Sequence, residues 1–201
     1  MLKVGLTGGL ASGKSSVGRA LAAMGCLVIR NDELGHQVLQ PDGAAYAGVV
    51  REFGPGILDP DGKIDRRKLA ALVFRDADQL GKLNALVHPP VRARTKQMLE
   101  EYAAGHPRGI AVVEAAIMIE TGSFCDYTKL IVAVCSREQQ IERAMARDGN
   151  TREEVLDRLD RQMPLDEKVK YADYVIDTSG TKENTLAQIR AVYASLKTLA
   201  E

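Results

Sequence analysis

A charge imbalance is the first thing this sequence lacks. Its 27 Lys and Arg residues equal its 27 Asp and Glu, so no global field draws the chain to nucleic acid or to an anionic membrane surface. Neither partner is expected. Long apolar runs are also missing: none approaches bilayer-spanning length, and the N-terminus enters its first apolar segment without a basic-flanked leader. A cytoplasmic location is the expectation. Cysteine is scarce, and Cys26, Cys125 and Cys135 are odd in number and lack the C-x-x-C spacing of a zinc or redox site. Lying in or beside apolar runs, they are expected to be reduced core thiols. His36, His88 and His106 are dispersed without metal-ligand spacing, and neither an internal repeat nor a low-complexity segment occurs. At 201 residues the chain fits a single α/β domain with an inserted subdomain.

What is present begins at residue 8. Gly8-Gly9-Leu10-Ala11-Ser12-Gly13-Lys14-Ser15 matches G-x-x-x-x-G-K-[ST] in full and follows the short apolar run Leu2 to Thr7. This is a phosphate-binding loop. Four fixed positions of this kind arise by chance in a chain this long on the order of once in a hundred. Glycine lets backbone N–H groups converge on an anion. Apolar Val17, Leu21 and Met24 give Lys14 to Met24 helical spacing, so a positive helix end faces the same phosphates. Lys14 can reach the β and γ phosphates, and the Ser15 hydroxyl can take a magnesium position. A glycine-rich turn before an ordinary helix would explain the glycines but not Lys14-Ser15.

Apolar runs suited to buried parallel strands recur at Leu2 to Thr7, Cys26 to Ile29, Ile110 to Val113, Leu130 to Cys135 and Tyr174 to Ile176. Helical patterns fill the gaps, which predicts a parallel sheet covered on both faces, with ligands at the carboxyl ends of its strands. The gap between the second and third runs is too long for a simple crossover and carries Gly/Pro/Asp turn signals. Residues 34–106 are therefore expected as a helical insertion shaping an acceptor site, between core segments 1–33, 107–136 and 172–201. The stretch 137–171, rich in Arg, Asp and Glu, places Arg143 and Arg147 one turn apart, and likewise Arg158 and Gln162. It reads either as a solvated helix with pairs such as Glu154 and Arg158, or as a lid closing over a nucleotide. Asn184 to Leu199 reads as an amphipathic packing helix.

Carboxylates for orienting a metal and a hydroxyl are placed after strand runs. Asp32 follows the second run and reads as a general base or as a helix N-cap. Glu114 ends the third run and reads as a metal carboxylate acting through water or as a solvated strand end. Glu120, six residues further on, is a candidate for acceptor contact.

With these residues in hand, the chain resembles the dephospho-coenzyme A kinases from Val4 to about Gly180. The segments that carry the resemblance are Gly5 to Gly9 with Gly13-Lys14-Ser15-Ser16-Val17, Phe53-Gly54 with Ile57-Leu58, Asp61-Gly62 with Ile64-Asp65-Arg66, His88-Pro89 with Val91-Arg92, and Ala172-Asp173 with Val175-Ile176-Asp177. Gln140, Arg143 and Arg147 meet that family's Gln-x-x-Arg-x-x-x-Arg, and Arg158 with Gln162 its Arg-x-x-x-Gln. Two departures stand out. Arg30-Asn31-Asp32 replaces the usual Asp-Ala-Asp, and Glu114-Ala115-Ala116 lacks the usual Asp and Pro.

The resemblance implies a P-loop NTPase-type α/β fold: a parallel five-stranded sheet flanked by helices, with a helical substrate-binding insertion and a helical lid. It implies transfer of the ATP γ-phosphoryl group to the ribose 3′-hydroxyl of dephospho-coenzyme A, the last step of coenzyme A biosynthesis, with Mg2+ as cofactor. Gly9, Leu10, Ala11, Ser12, Gly13, Lys14, Ser15 and Ser16 are then the ATP-binding residues. Asp32, Lys14, Arg143 and Arg147 are catalytic, and Ser15 and Glu114 are on the metal's side. Asp32, Arg66, His88, Arg92 and Glu120 face the acceptor. A monomer or weak homo-oligomer is expected. The alternative is another P-loop kinase, acting on a nucleoside monophosphate or small metabolite. A GTP-driven switch fits less well, because Asp32-Glu33-Leu34-Gly35 follows the loop too closely and no N-K-x-D motif occurs.

Overall fold

Segments rich in Val, Ile and Leu form five strands: β1 (Leu2–Gly8), β2 (Leu27–Arg30), β3 (Ile110–Glu114), β4 (Lys129–Val134) and β5 (Tyr174–Asp177). All neighbours pair in parallel, in the order β2-β3-β1-β4-β5. The computed structural model describes residues 1–73 and 76–201. Strand bounds differ from the apolar runs by a residue or so. Cys26 precedes β2, Cys135 lies beyond β4, and Glu114 is the last residue of β3 itself, registered with Leu6 and Arg30. Backbone pairing carries a strand past its apolar run wherever a neighbour is still in register.

Among the described residues nine α-helices occur: α1 (Lys14–Ala23), α2 (Asn31–Gln37), α3 (Tyr46–Phe53), α4 (Arg66–Val73), α5 (Ala77–Gly105), α6 (Arg137–Asp148), α7 (Arg152–Asp160), α8 (Leu165–Val169) and α9 (Lys182–Ala200). They fall into two compact units, residues 1–30 with 100–201, and residues 31–99.

In the first unit the sheet's core joins Val4 and Leu6 of β1, Val17 and Leu21 of α1, Ile131 of β4, and Ile189, Val192 and Leu196 of α9, all buried. Each fully buried aliphatic side chain of this kind contributes about 1.5–3 kcal/mol. The 137–171 segment builds a second, smaller core. Ser136 and Thr151 open α6 and α7 with reciprocal capping boxes to Gln139 and Glu154, which satisfies otherwise orphaned helix N–H groups. Ile141, Ala144, Val155 and Leu159 then pack together around Leu10 of the phosphate loop.

Two expectations for this segment are corrected. Glu154 caps α7 rather than pairing with Arg158, whose guanidinium reaches Asp148 at 3.0 Å. Gln162 does not share a helix face with Arg158, because α7 ends at Asp160. Pro164 is the N-cap of α8, and its ring pushes Met163 toward extended backbone, which separates α7 from α8.

In the second unit α2 to α4 and the start of α5 are linked by turns, with an isolated antiparallel bridge between Leu58 and Ile64. Tyr46 donates to the Gly62 carbonyl. Pro89 and Pro90 lie inside α5. One turn later the buried Thr95 hydroxyl sits 2.8 Å from Asn31 Oδ1, tying α5 to the start of α2.

The cysteine expectation holds only in part. Cys26 is buried and Cys135 half-buried, but Cys125 is exposed, in a 3₁₀ turn over Ser123–Asp126. All three are free thiols. Burial pushes the Cys26 thiol up to about 11, which keeps it protonated and inert.

Candidate active site

The loop between β1 and α1 shows how its residues were chosen. Gly13 has φ +91°, and a Cβ there would lie 2.8 Å from the Thr178 side chain, so position 13 excludes other residues on two counts. Ala11 also takes a positive φ, of 53°. Lys14 is buried, with Nζ 3.4 Å from the Gly9 carbonyl. Ser12 is buried and its hydroxyl has no hydrogen-bond partner among the described residues. Ser16 accepts from Arg19 at 3.0 Å.

Ser15 and Glu114 meet across the sheet edge. The Ser15 hydroxyl donates to Glu114 Oε1 at 2.8 Å. Glu114 is 4% exposed, its Oε2 has no hydrogen-bond partner among the described residues, and Arg30 Nε stands 3.8 Å from that oxygen. Gly18, one turn into α1, makes room for it, since a Cβ there would fall 2.9 Å from Oε2. Glu114 is thus a buried acid aimed at α1 and the loop, which excludes the solvated strand end. Arg30, the residue that departs from the family pattern, is its charge partner.

Arg143 and Arg147 of α6 are both engaged. Arg143 donates to the Thr178 hydroxyl at 3.0 Å and to the Thr178 carbonyl at 2.7 Å, and that hydroxyl reaches the Ser12 carbonyl at 2.9 Å. Arg147 forms a two-pronged pair with Asp148 at 2.7 and 2.9 Å. Arg147, with Arg158 adding to it, holds Asp148 down to about 2. Thr178 is a junction that sequence reasoning missed. Its place at the carboxyl end of β5 was the available signal.

Glu120 is held by a lysine. Lys168 has no exposed surface, and its Nζ donates to Glu120 Oε1 at 2.8 Å and to the Ala116 carbonyl at 2.6 Å. Glu120 also accepts from the Met163 N–H at 3.0 Å. Nothing in the charged run Asp166-Glu167-Lys168 marks its lysine as buried. Leu10, assigned to ATP by resemblance, likewise spends its N–H on the Gln162 side chain at 2.8 Å.

The second unit gathers acceptor-side candidates of its own. Asp32 and Glu33 stand in the first turn of α2 and His36 in its last. Burial, then the charge of Arg66, lowers the His36 pKa, while Asp32 and Glu33 oppose the shift. Arg66, Asp32 and His36 therefore share one electrostatic neighbourhood. On α5, burial and then Arg92 lower the His88 pKa. Both imidazoles are biased toward the neutral form.

A five-stranded parallel sheet, with a G-x-x-x-x-G-K-S loop entering α1 and a buried carboxylate behind the loop serine, defines a phosphate-loop protein of kinase architecture. The family described as Dephospho-CoA kinase matches residues 2–184. The curated dephospho-CoA kinase of Thermobifida fusca is 40% identical over 98% of this chain and 97% of its own length. Among solved structures, TT1252 from Thermus thermophilus superposes with a TM-score of 0.84 at 33% identity, over 97% of both chains. A dephospho-CoA kinase from Campylobacter jejuni shares the fold, with a TM-score of 0.71 at 24% identity over 99% of this chain and 98% of its own. The chain belongs to the dephospho-CoA kinase family.

Proposed function

We propose that this protein transfers the γ-phosphoryl group of ATP to the ribose 3′-hydroxyl of dephospho-coenzyme A, giving coenzyme A and ADP. The observation that carries the phosphoryl-transfer chemistry is the loop itself, with Lys14 folded against its backbone and Ser15 held 2.8 Å from the buried Glu114. Family membership supports the choice of acceptor.

In this reading the loop amides and Lys14 hold the β and γ phosphates and stabilise charge on the transferring group. Asp32 accepts or orients the proton of the attacking hydroxyl. Arg143 and Arg147 leave their Thr178 and Asp148 partners to face the phosphates when α6 closes on ATP, excluding water. Arg66 and Arg92 serve the acceptor, whose phosphates suit their positive charge, and His88 serves it as a neutral imidazole able to hydrogen-bond. Glu120 shapes the acceptor side through its hold on Lys168.

The residues fit a magnesium ion. Glu114 Oε2 is a buried carboxylate oxygen without a hydrogen-bond partner among the described residues, beside a hydroxyl of the kind that ligates magnesium. Ser15 would hold the ion directly and Glu114 through water. When bound, magnesium neutralises phosphate charge and fixes the geometry of the phosphate chain.

The test is ADP release with and without dephospho-coenzyme A, followed by location of the new phosphate on the product. Acceptor-dependent ADP release with a 3′-phosphate is expected. ADP release driven instead by a nucleoside monophosphate would replace this acceptor with the alternative one. ATP binding without any acceptor-dependent release would remove the kinase reading.

A further inference from the structure

Leu10 is gripped from three directions. Its N–H donates to Gln162 Oε1 at 2.8 Å, and its carbonyl accepts from Gln140 Nε2 at 2.7 Å. Its side chain is buried among Ile141, Ala144, Val155 and Leu159 of α6 and α7. Gln140 is 5% exposed, and a Cβ on Gly9 would run into its amide. Both glutamines border, with Gly9, a cavity of about 490 Å³. The phosphoryl-transfer chemistry leaves these two side chains without a role.

We propose that Gln140 and Gln162 are positioning residues for the nucleotide. They clasp the Leu10 backbone through its N–H and its carbonyl, and so hold the first half of the phosphate loop in the shape that accepts phosphates. A loop rich in glycine has many backbone states. Its N–H groups converge on an anion only if the peptide planes are oriented beforehand. The Leu10 N–H is committed to Gln162, so the Leu10 residue serves as an anchor and the phosphate contacts fall to the amides after it. The clasp also makes the loop's shape depend on how α6 and α7 pack. Any movement of those helices that shifts Gln140 or Gln162 is felt at the loop.

The two bonds have opposite polarity. Gln162 acts as an acceptor, a job that a carboxylate performs equally well. Gln140 acts as a donor, and a carboxylate in its place would face the Leu10 carbonyl, lone pair to lone pair. Glutamine and glutamate are nearly isosteric, so a role in packing alone would make the two exchanges equivalent. Both place one negative charge on the same cavity, so repulsion of nucleotide is common to the two.

The proposal rests on the ATP-binding reading of the loop, and one set of titrations separates them. ADP affinity is measured by calorimetry for wild type, Q140L, Q140E, Q162L and Q162E, with KM for ATP, KM for dephospho-coenzyme A and kcat. Leu10 amide hydrogen exchange reports the clasp without nucleotide. Q162L, Q140L and Q140E are each expected to weaken ADP about ten-fold or more, the loss of one well-made hydrogen bond. Q162E is expected to stay within about three-fold of wild type. KM for ATP should rise in the three weakened variants while kcat at saturating ATP and KM for the acceptor stay near wild type. The Leu10 amide should exchange faster in Q162L and remain protected in Q162E.

Wild type that binds no ADP would remove the nucleotide reading itself. Wild type that binds ADP, together with unchanged affinity in Q162L or equal losses in Q140E and Q162E, would overturn the clasp alone. A variant with a lowered melting temperature but unchanged ADP affinity counts against it in the same way.

Discussion

Lys168 is an ammonium group with no exposed surface, held by one carboxylate and one carbonyl. Removing the carboxylate strands the buried ammonium, so E120Q is expected to cost about 3 kcal/mol in urea denaturation. The double variant K168M/E120Q should be more stable than E120Q, since the stranded charge is gone. Equal stability of the two would show that the pair is not coupled. Asp32 offers the opposite kind of test, because it stands inside the first turn of α2, after Asn31 rather than at the N-cap, so exchanging its carboxylate for a carboxamide costs at most about 1 kcal/mol of helix-dipole stabilisation. D32N is expected to fold normally and lose about a hundred-fold or more in turnover. Near wild-type kcat in D32N would end its assignment as base. Asp32 became a candidate through its place after an apolar run. Lys168 did not, because burial of a charge is decided by partners 52 and 48 residues away in the chain, at Ala116 and Glu120.

Helices α6 and α7 are joined at their ends by charge as well as by their small core. Asp148 closes α6 and takes Arg147 from its own helix and Arg158 from α7. Its pKa of about 2 lies below the ordinary 3.8, so the pairing adds stability fully above pH 3.8 and loses it as pH falls through about 2. D148N should therefore lower the urea midpoint at pH 7 and pH 5 alike, with the gap to wild type closing near pH 2. The effect should stay under about 1 kcal/mol, because both arginines are largely exposed. A gap that persisted at pH 2 would mean the residue acts through something other than its charge. The strands were readable to within a few residues because buried parallel strands are nearly continuous apolar runs, and α1 and α9 because each buries a stripe at helical period. The end of α7 was misplaced, since a charged segment with few apolar residues offers little periodicity and the proline at 164 acts locally.

The molecule as a whole couples nucleotide binding to folding, because the loop's ligand groups are organised only in the folded chain. Saturating ADP at about a hundred times its Kd adds about 2.7 kcal/mol. That corresponds to a rise in melting temperature of roughly 5–10 °C for a chain of this size. K14A should lose most of that rise while its melting temperature without ADP changes little. An undiminished rise in K14A would place the nucleotide elsewhere.

Local grammar was enough to announce a nucleotide-binding protein. The strand, loop and helix of residues 2–24 are contiguous, and glycine, lysine and serine at set spacing act through backbone geometry that neighbours in the chain can impose. Ordered matches along the chain carried the family. The rest of the candidate site depends on register and long-range packing. Glu114 reaches Ser15 because β3 lies beside β1. Arg143 reaches Thr178, and the two glutamines reach Leu10, because α6 and the chain beyond α7 fold back onto the loop. Contacts between residues 35 to 152 positions apart leave no periodic trace, so they became visible only once the chain was folded.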